Sequence, residues 1–228
     1  MIIGNGLIAN SLKRIDSENI TFFCSGVSNS AETDPAAFQR ELSLLKAQNK
    51  ENLLCYFSTV SIFNPSKQQA PYILHKNNME MEIRSDFPQH IIIRLPNMMG
   101  DGGNGSNLFP YFLRSIAEGK TVGIFDNTHR ELMETELLPD IVNALVSANF
   151  RGTINAGFGN APKVQDIYLY LCKLLDAAPN MKIEKGEDAY EVDYSEFTTL
   201  MKKAGVSPAG NWQERVERYV NLYRSQFV

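Results

Sequence analysis

Tyr72 and Lys76 stand four positions apart in a stretch, Pro71 to Ser85, whose pattern is helical. That spacing puts both side chains on one helix face, one turn apart. An unperturbed phenol titrates near 10, and a neighbouring ammonium lowers that value, which makes the phenol a usable proton donor or acceptor near neutrality. Thr59 follows the apolar run Leu53 to Phe57. It therefore lies at the carboxyl end of a strand, where open α/β sheets place their ligands. With nine tyrosines in the chain a Tyr-x-x-x-Lys pair arises readily by chance, so its weight comes from what surrounds it.

The chain opens Met-Ile-Ile-Gly-Asn-Gly-Leu-Ile-Ala, a short apolar strand running into a GxGxxA turn. In such a turn Gly4 allows the tight bend, Gly6 lets the backbone approach a pyrophosphate, and Ala9 lets the following helix pack closely on the strand. The N–H groups of the turn and helix start, Asn5, Leu7 and Ile8 included, would face the phosphates. The same fingerprint calls for an acidic residue roughly 20 positions later, to hold the adenosine ribose. Here that stretch, Ile20 to Gly26, has no carboxylate. Ser25 and Gly26 are its candidate cofactor contacts. The nearest charges, Asp16, Glu18, Lys13 and Arg14, all precede the strand, so a dinucleotide, NAD or NADP, is expected to bind weakly and with poor discrimination.

Strands and helices alternate, which implies a parallel sheet. Helices are expected over 7–15, 35–50, 71–85, 108–118, 138–148, 163–176, 194–204 and 211–226. Strands are expected over 19–25, 53–57, 90–95, 121–125, 152–156 and 181–185. Asp34-Pro35 supplies a cap and a first-turn proline for the second helix. Met99 to Asn107 is the richest loop, with four glycines, a composition that fits mobility or close approach by a ligand.

Together the GxGxxA turn, Thr59, Tyr72 and Lys76 resemble the short-chain dehydrogenase/reductase superfamily. A narrower resemblance is to its extended members, the nucleotide-sugar epimerases and dehydratases. Phe57 to Phe63 is similar to their Ser-Ser-x-x-Val-Tyr strand end, and Ile93-Arg94-Leu95-Pro96-Asn97-Met98-Met99-Gly100 to their Arg-Leu-x-Asn-x-x-Gly segment. Asp140 to Leu145 and Gly152 to Gly157 are similar to two later landmarks. The resemblance implies Thr59, Tyr72 and Lys76 as the catalytic set, with Lys76 also reaching the nicotinamide ribose. It implies a nucleotide-sugar substrate contacted by Asn97, by Asn107 and Leu108 in a loop 100–108 that wraps the nucleotide, and by Arg130. It also implies a homodimer through the helices near 35–50 and 71–85, with Leu42, Leu45, Ile73 and Met79 available as apolar contacts. The chain departs from the family in a short gap between Thr59 and Tyr72 and a long one between Arg130 and Asp140.

A complete first Rossmann half does not fit. At about 30 residues per βαβ unit, two further units cannot lie between residue 9 and Tyr72. Ile20 to Asn29, followed by the helix after Pro35, is more similar to the family's fourth strand than to its second. The expected fold is an α/β Rossmann-like parallel sheet with helices on both faces, lacking the second and third strands, in a single domain over 1–228. A small substrate lobe would form mainly from 97–120 and 158–228. In the rival topology residues 19–25 are the true second strand, with Ser25 and Ser28 reading a ribose phosphate.

A formal net charge of −4 gives no electrostatic footprint for nucleic acid. No apolar run approaches a membrane span and no signal peptide is visible, so a cytoplasmic protein is expected. The three cysteines, Cys24, Cys55 and Cys172, are far apart in apolar segments, which indicates neither disulfides nor a metal site. Two functions follow: an NAD(P)-dependent enzyme acting on a nucleotide-activated sugar by 4-keto reduction, epimerisation or dehydration, or a non-catalytic member that binds a nucleotide sugar or a partner.

Overall fold

A computed structural model describes residues 1–101, 105, 107–186 and 189–223. Its strands are β1 (Ile2–Ile3), β2 (Ile20–Phe23), β3 (Leu53–Thr59), β4 (His90–Leu95), β5 (Asn97–Met99), β6 (Val122–Phe125), β7 (Leu132–Glu134), β8 (Gly152–Asn155) and β9 (Met181–Glu184). Its helices are α1 (Leu7–Leu12), α2 (Pro35–Lys46), α3 (Pro71–Asp86), α4 (Leu108–Ala117), α5 (Leu138–Ser147), α6 (Val164–Leu174), α7 (Ser195–Ala204) and α8 (Trp212–Tyr223). The expected cap is present: Asp34 accepts a hydrogen bond from the Ala36 N–H at 2.9 Å, and Pro35 opens α2. Residues 224–226 of the expected last helix lie outside the described residues.

The main sheet is parallel throughout, in the order β1-β2-β3-β4-β8. This order decides between the two topologies. A true second strand would lie on the far side of β1, because a Rossmann half runs 3-2-1-4. Instead β2 sits between β1 and β3, the place of a fourth strand, and β1 is left at the sheet edge. The alternation of side chains then sorts the core. Phe22, Cys55, Ile91 and Ile93 face one side, where Leu12 of α1, Ile141 and Leu145 of α5, and Phe197 and Met201 of α7 cover them. Phe23, Leu54, Tyr56 and Ile92 face the other, under Leu45 of α2 and Met79 and Ile83 of α3. Each such fully buried large side chain contributes roughly 1.5–3 kcal/mol.

This arrangement carries a trace of the lost strands. The chain steps in one direction across β1, β2, β3 and β4, yet α1 lies on the face opposite α2 and α3. The β1-α1-β2 crossover therefore has the opposite hand to the two that follow, whereas parallel crossovers almost always share one hand. Excision of two strands from a 3-2-1-4 sheet leaves this geometry, since α1 keeps its original face while the next strand is now on the other side.

A second core, from Phe109 and Phe112 of α4, Ile124 of β6, Ile167 and Leu171 of α6, and Val216 and Val220 of α8, builds the smaller lobe. α7, expected in that lobe, packs on the main sheet instead. Two parallel pairs, β5 with β7 and β6 with β9, complete the structure. The pairing of Asn97–Met99 with Leu132–Glu134 was not expected, because three-residue strands carry no readable alternation. Of the apolar residues expected at a dimer interface, Leu45, Ile73 and Met79 are buried within the chain, while Leu74 and Met81 on the outer face of α3 are 49% and 60% exposed.

Candidate functional site

The carboxyl ends of β2, β3 and β4 open onto a cleft of about 640 Å³ between the sheet and the smaller lobe. Gly6, Leu7, Ile8, Gly26, Thr59, Tyr72 and Lys76 line its sheet side, and Asn97, Asn107, Leu108 and Arg130 the lobe side. The turn, the triad and the expected substrate contacts are thus brought to one place. Gly4, Asn5, Ala9 and Ser25 do not line it.

The glycine turn is built directly on β2. Gly4 has φ +120°, and a Cβ there would come within 2.8 Å of the Cys24 carbonyl and 2.9 Å of the Ser25 nitrogen. Ala9 is buried beneath the turn and Asn5 is exposed. Gly6 differs: no atom beyond its own chain neighbours lies within 4 Å of its Cβ position, so the space above it is open to a ligand. Ser25, expected to face the cofactor, is engaged by Arg40, whose guanidinium donates to its hydroxyl at 3.1 Å and its carbonyl at 3.3 Å. The expectation that no cation stands near the end of this strand is corrected by that contact. Arg40 comes from α2, outside the stretch where the fingerprint places its charge.

The Thr59 hydroxyl accepts from the Ser61 N–H at 3.1 Å, and its side chain stands close enough to the Tyr72 phenol to lower it. The Lys76 ammonium lies 5.8 Å from the centre of the Tyr72 ring. It donates to Glu41 Oε1 and to the Tyr56 hydroxyl, both at 3.0 Å. Burial would raise the Glu41 carboxyl, but the Lys76 ammonium, with hydrogen bonds from His75, the Val27 N–H and Tyr56, overrides it and holds the group at about 2. His75, stacked on Phe38 with ring centres 4.6 Å apart, is a packing residue of this cluster.

Lys76 lowers the Tyr72 phenol as expected, but it does not prevail. Burial raises the phenol above its ordinary value; Lys76 and Thr59 lower it, but Glu41 raises it, and the net direction is upward. Glu41 and Tyr56 were not singled out in the sequence. A lone glutamate beside an arginine on a helix reads as solvated surface, and a tyrosine within an apolar strand reads as core.

On the lobe side, Asn97 Nδ2 donates to the Glu131 carbonyl at 3.4 Å. Arg130 donates to the His129 carbonyl at 2.8 Å and its guanidinium lies 4.9 Å from the Tyr190 ring centre. Thr128, 4% exposed, lines the same wall, and its hydroxyl is buried with no hydrogen-bond partner among the described residues. Lys67, in the short segment before α3, also lines the cleft and was not foreseen. Part of the loop 100–108, namely Gly102 to Asn104 and Ser106, lies outside the described residues. Among those residues no group of three His, Cys, Asp or Glu side chains could hold a metal ion, and no helix is long and apolar enough to cross a membrane.

No protein-family model matches the sequence, and no curated protein sequence matches it. Solved structures do match. The Bordetella bronchiseptica enzyme WbmH, in complex with NAD+, superposes with a TM-score of 0.73 at 18% identity, over 92% of this chain and 76% of that one. RMD from Pseudomonas aeruginosa, complexed with NADPH, gives 0.69 at 15% identity over 95% and 86%. UDP-N-acetylglucosamine 4-epimerase from Methanobrevibacter ruminantium M1, in complex with UDP-N-acetylmuramic acid, gives 0.68 at 15% identity over 95% and 80%. The chain has the Rossmann-like fold of these solved structures, with a first half shortened by two strands.

Proposed function

We propose that this chain is an NAD(P)-dependent enzyme acting on a nucleotide-activated sugar. One observation carries the proposal: Thr59, Tyr72 and Lys76 converge on the cleft that the open Gly6 position also lines. Solved neighbours bound to NAD+, NADPH or a UDP-sugar support it. The residues present fit a nicotinamide dinucleotide. Gly6 leaves room for a pyrophosphate, and Lys76, with two of its three N–H donors engaged, keeps one for a ribose hydroxyl. The bound nicotinamide would supply the hydride chemistry.

In this role Thr59 orients a substrate oxygen and Tyr72 gives or takes its proton. A phenol held above its ordinary value is protonated at neutral pH, which suits donation to a keto oxygen in reduction. Asn97 and Arg130 would hold the substrate's diphosphate. A cytoplasmic homodimer through the outer face of α3 belongs to the same proposal. A non-catalytic binder is favoured by one feature: among the described residues no strand lies beyond β1 to wall the adenosine.

The test is consumption of reduced dinucleotide, followed by absorbance, across a panel of nucleotide 4-keto sugars. Turnover by the chain that falls by orders of magnitude in Tyr72→Phe supports the enzyme. Equal turnover in the variant removes Tyr72 from the chemistry, and absence of turnover across the panel favours the binder.

A further inference from the structure

Glu41 is fully buried and both of its oxygens are occupied. Oε1 accepts from the Tyr56 hydroxyl at 2.8 Å and from Lys76 at 3.0 Å; Oε2 accepts from the Val27 N–H at 2.6 Å and lies 2.9 Å from His75 Nε2. Four segments meet at this one carboxylate: α2, the loop after β2, β3 and α3. Gly26 passes so close that a Cβ there would come within 2.9 Å of Lys76 Nζ and 3.1 Å of Glu41 Oε1.

We propose that Glu41 is the positioning residue of the Tyr72–Lys76 pair, fixing the Lys76 ammonium against Tyr56 and offsetting its charge so that the ammonium alone does not draw the proton from Tyr72. This rests on Tyr72 and Lys76 acting together as described above. The groups facing Tyr72 are Lys76 on its own helix, Glu41 from α2 and the Thr59 hydroxyl from β3, with the Tyr56 phenol beside Lys76. Lys67 and Arg130 line the same cleft. An unopposed cation within a few ångströms shifts a titratable group by about 1–3 pH units. A carboxylate bonded to that cation cancels much of the effect: burial is the chief cause that raises Tyr72, and of the two charges Lys76 lowers it while Glu41 raises it. A carboxylate that merely tied the four segments together would leave the titration of Tyr72 untouched by loss of its charge.

Tyr72 is titrated by tyrosinate absorbance, as the difference between the chain and its Tyr72→Phe variant. In the unaltered chain Tyr72 should ionise above about pH 10. Glu41→Gln should lower the midpoint by about 1 pH unit or more, and Glu41→Asp, which keeps the charge, should restore it. An unchanged or raised midpoint in folded Glu41→Gln overturns the proposal. Should Glu41→Gln not fold, the double variant Glu41→Gln/Lys76→Met removes both charges. Its Tyr72 midpoint should stay within about half a pH unit of the original, and a rise of about one unit or more would show Lys76 acting without an offset. The readout is independent of turnover, so an inactive chain would defeat the proposed function without deciding this one.

Discussion

Lys76 and Glu41, 35 residues apart in sequence, form an ion pair of 3.0 Å whose side chains are 3% and 0% exposed. A pair so placed is balanced: removal of one partner strands a charge in the interior, whereas removal of both does not.

Lys76→Met should therefore destabilise the fold as well as impair the site. The expected loss is about 3–5 kcal/mol in urea unfolding, or roughly 10 °C in thermal midpoint. The double variant Glu41→Gln/Lys76→Met should recover most of it. A single variant as stable as the unaltered chain would contradict the pair.

The same cluster makes the fold acid-labile. Glu41 is held at about 2 against an ordinary 4.5, so its stabilisation is present above about pH 4.5 and is lost as pH falls toward 2, on the order of 3 kcal/mol. Glu80, which accepts hydrogen bonds from Ser58 and Arg94, is lowered as well and acts with the same sign. Glu131, raised chiefly by burial, has the opposite sign and favours the fold at low pH. Denaturant midpoints should drop between pH 4.5 and 2.5 and drop less in Glu41→Gln; a flat profile would remove Glu41 from acid unfolding.

Arg40 stands at the end of β2, beside the glycine turn. Cofactor choice turns on a carboxylate for the ribose hydroxyl or a cation for its phosphate. Arg40 stands at the fourth-strand place, across β1 from the open adenosine edge, so Arg40→Ala should change the affinities for NAD and NADP by the same factor. Calorimetry with both dinucleotides decides this; a selective loss of NADP would put the adenosine ribose at the end of β2 and contradict the sheet-order reading.

Leu74 and Met81 lie seven positions apart on the outer face of α3, both exposed. If they join two copies, sedimentation should show a dimer at micromolar concentration that Met81→Glu converts to monomer. A monomer before substitution would contradict that.

The elements of the sheet and the convergence of Thr59, Tyr72 and Lys76 were legible because helical phase and strand ends fix them locally. The missing strands were legible from the short stretch between Ala9 and Tyr72, and the sheet order settled which they are. What the sequence hid is non-local. Glu41 reaches Lys76 only because α2 and α3 share one face of the sheet, and burial, with Glu41 adding to it, turns the direction of Tyr72 upward against the pull of Lys76. Arg40 was hidden likewise, and β5 and β7 are too short to show a pattern.

If the cleft takes a nicotinamide dinucleotide, the pyrophosphate must pass over the Gly6 turn. Fluorescence titration of NADH and NADPH tests it most directly, in the chain and in Gly6→Val, whose added side chain meets no protein atom of the neighbouring segments within 4 Å at Cβ. Saturable binding that is weak in the unaltered chain and abolished in a stably folded Gly6→Val is the predicted result. No binding of either dinucleotide, or binding indifferent to Gly6→Val, would contradict the account.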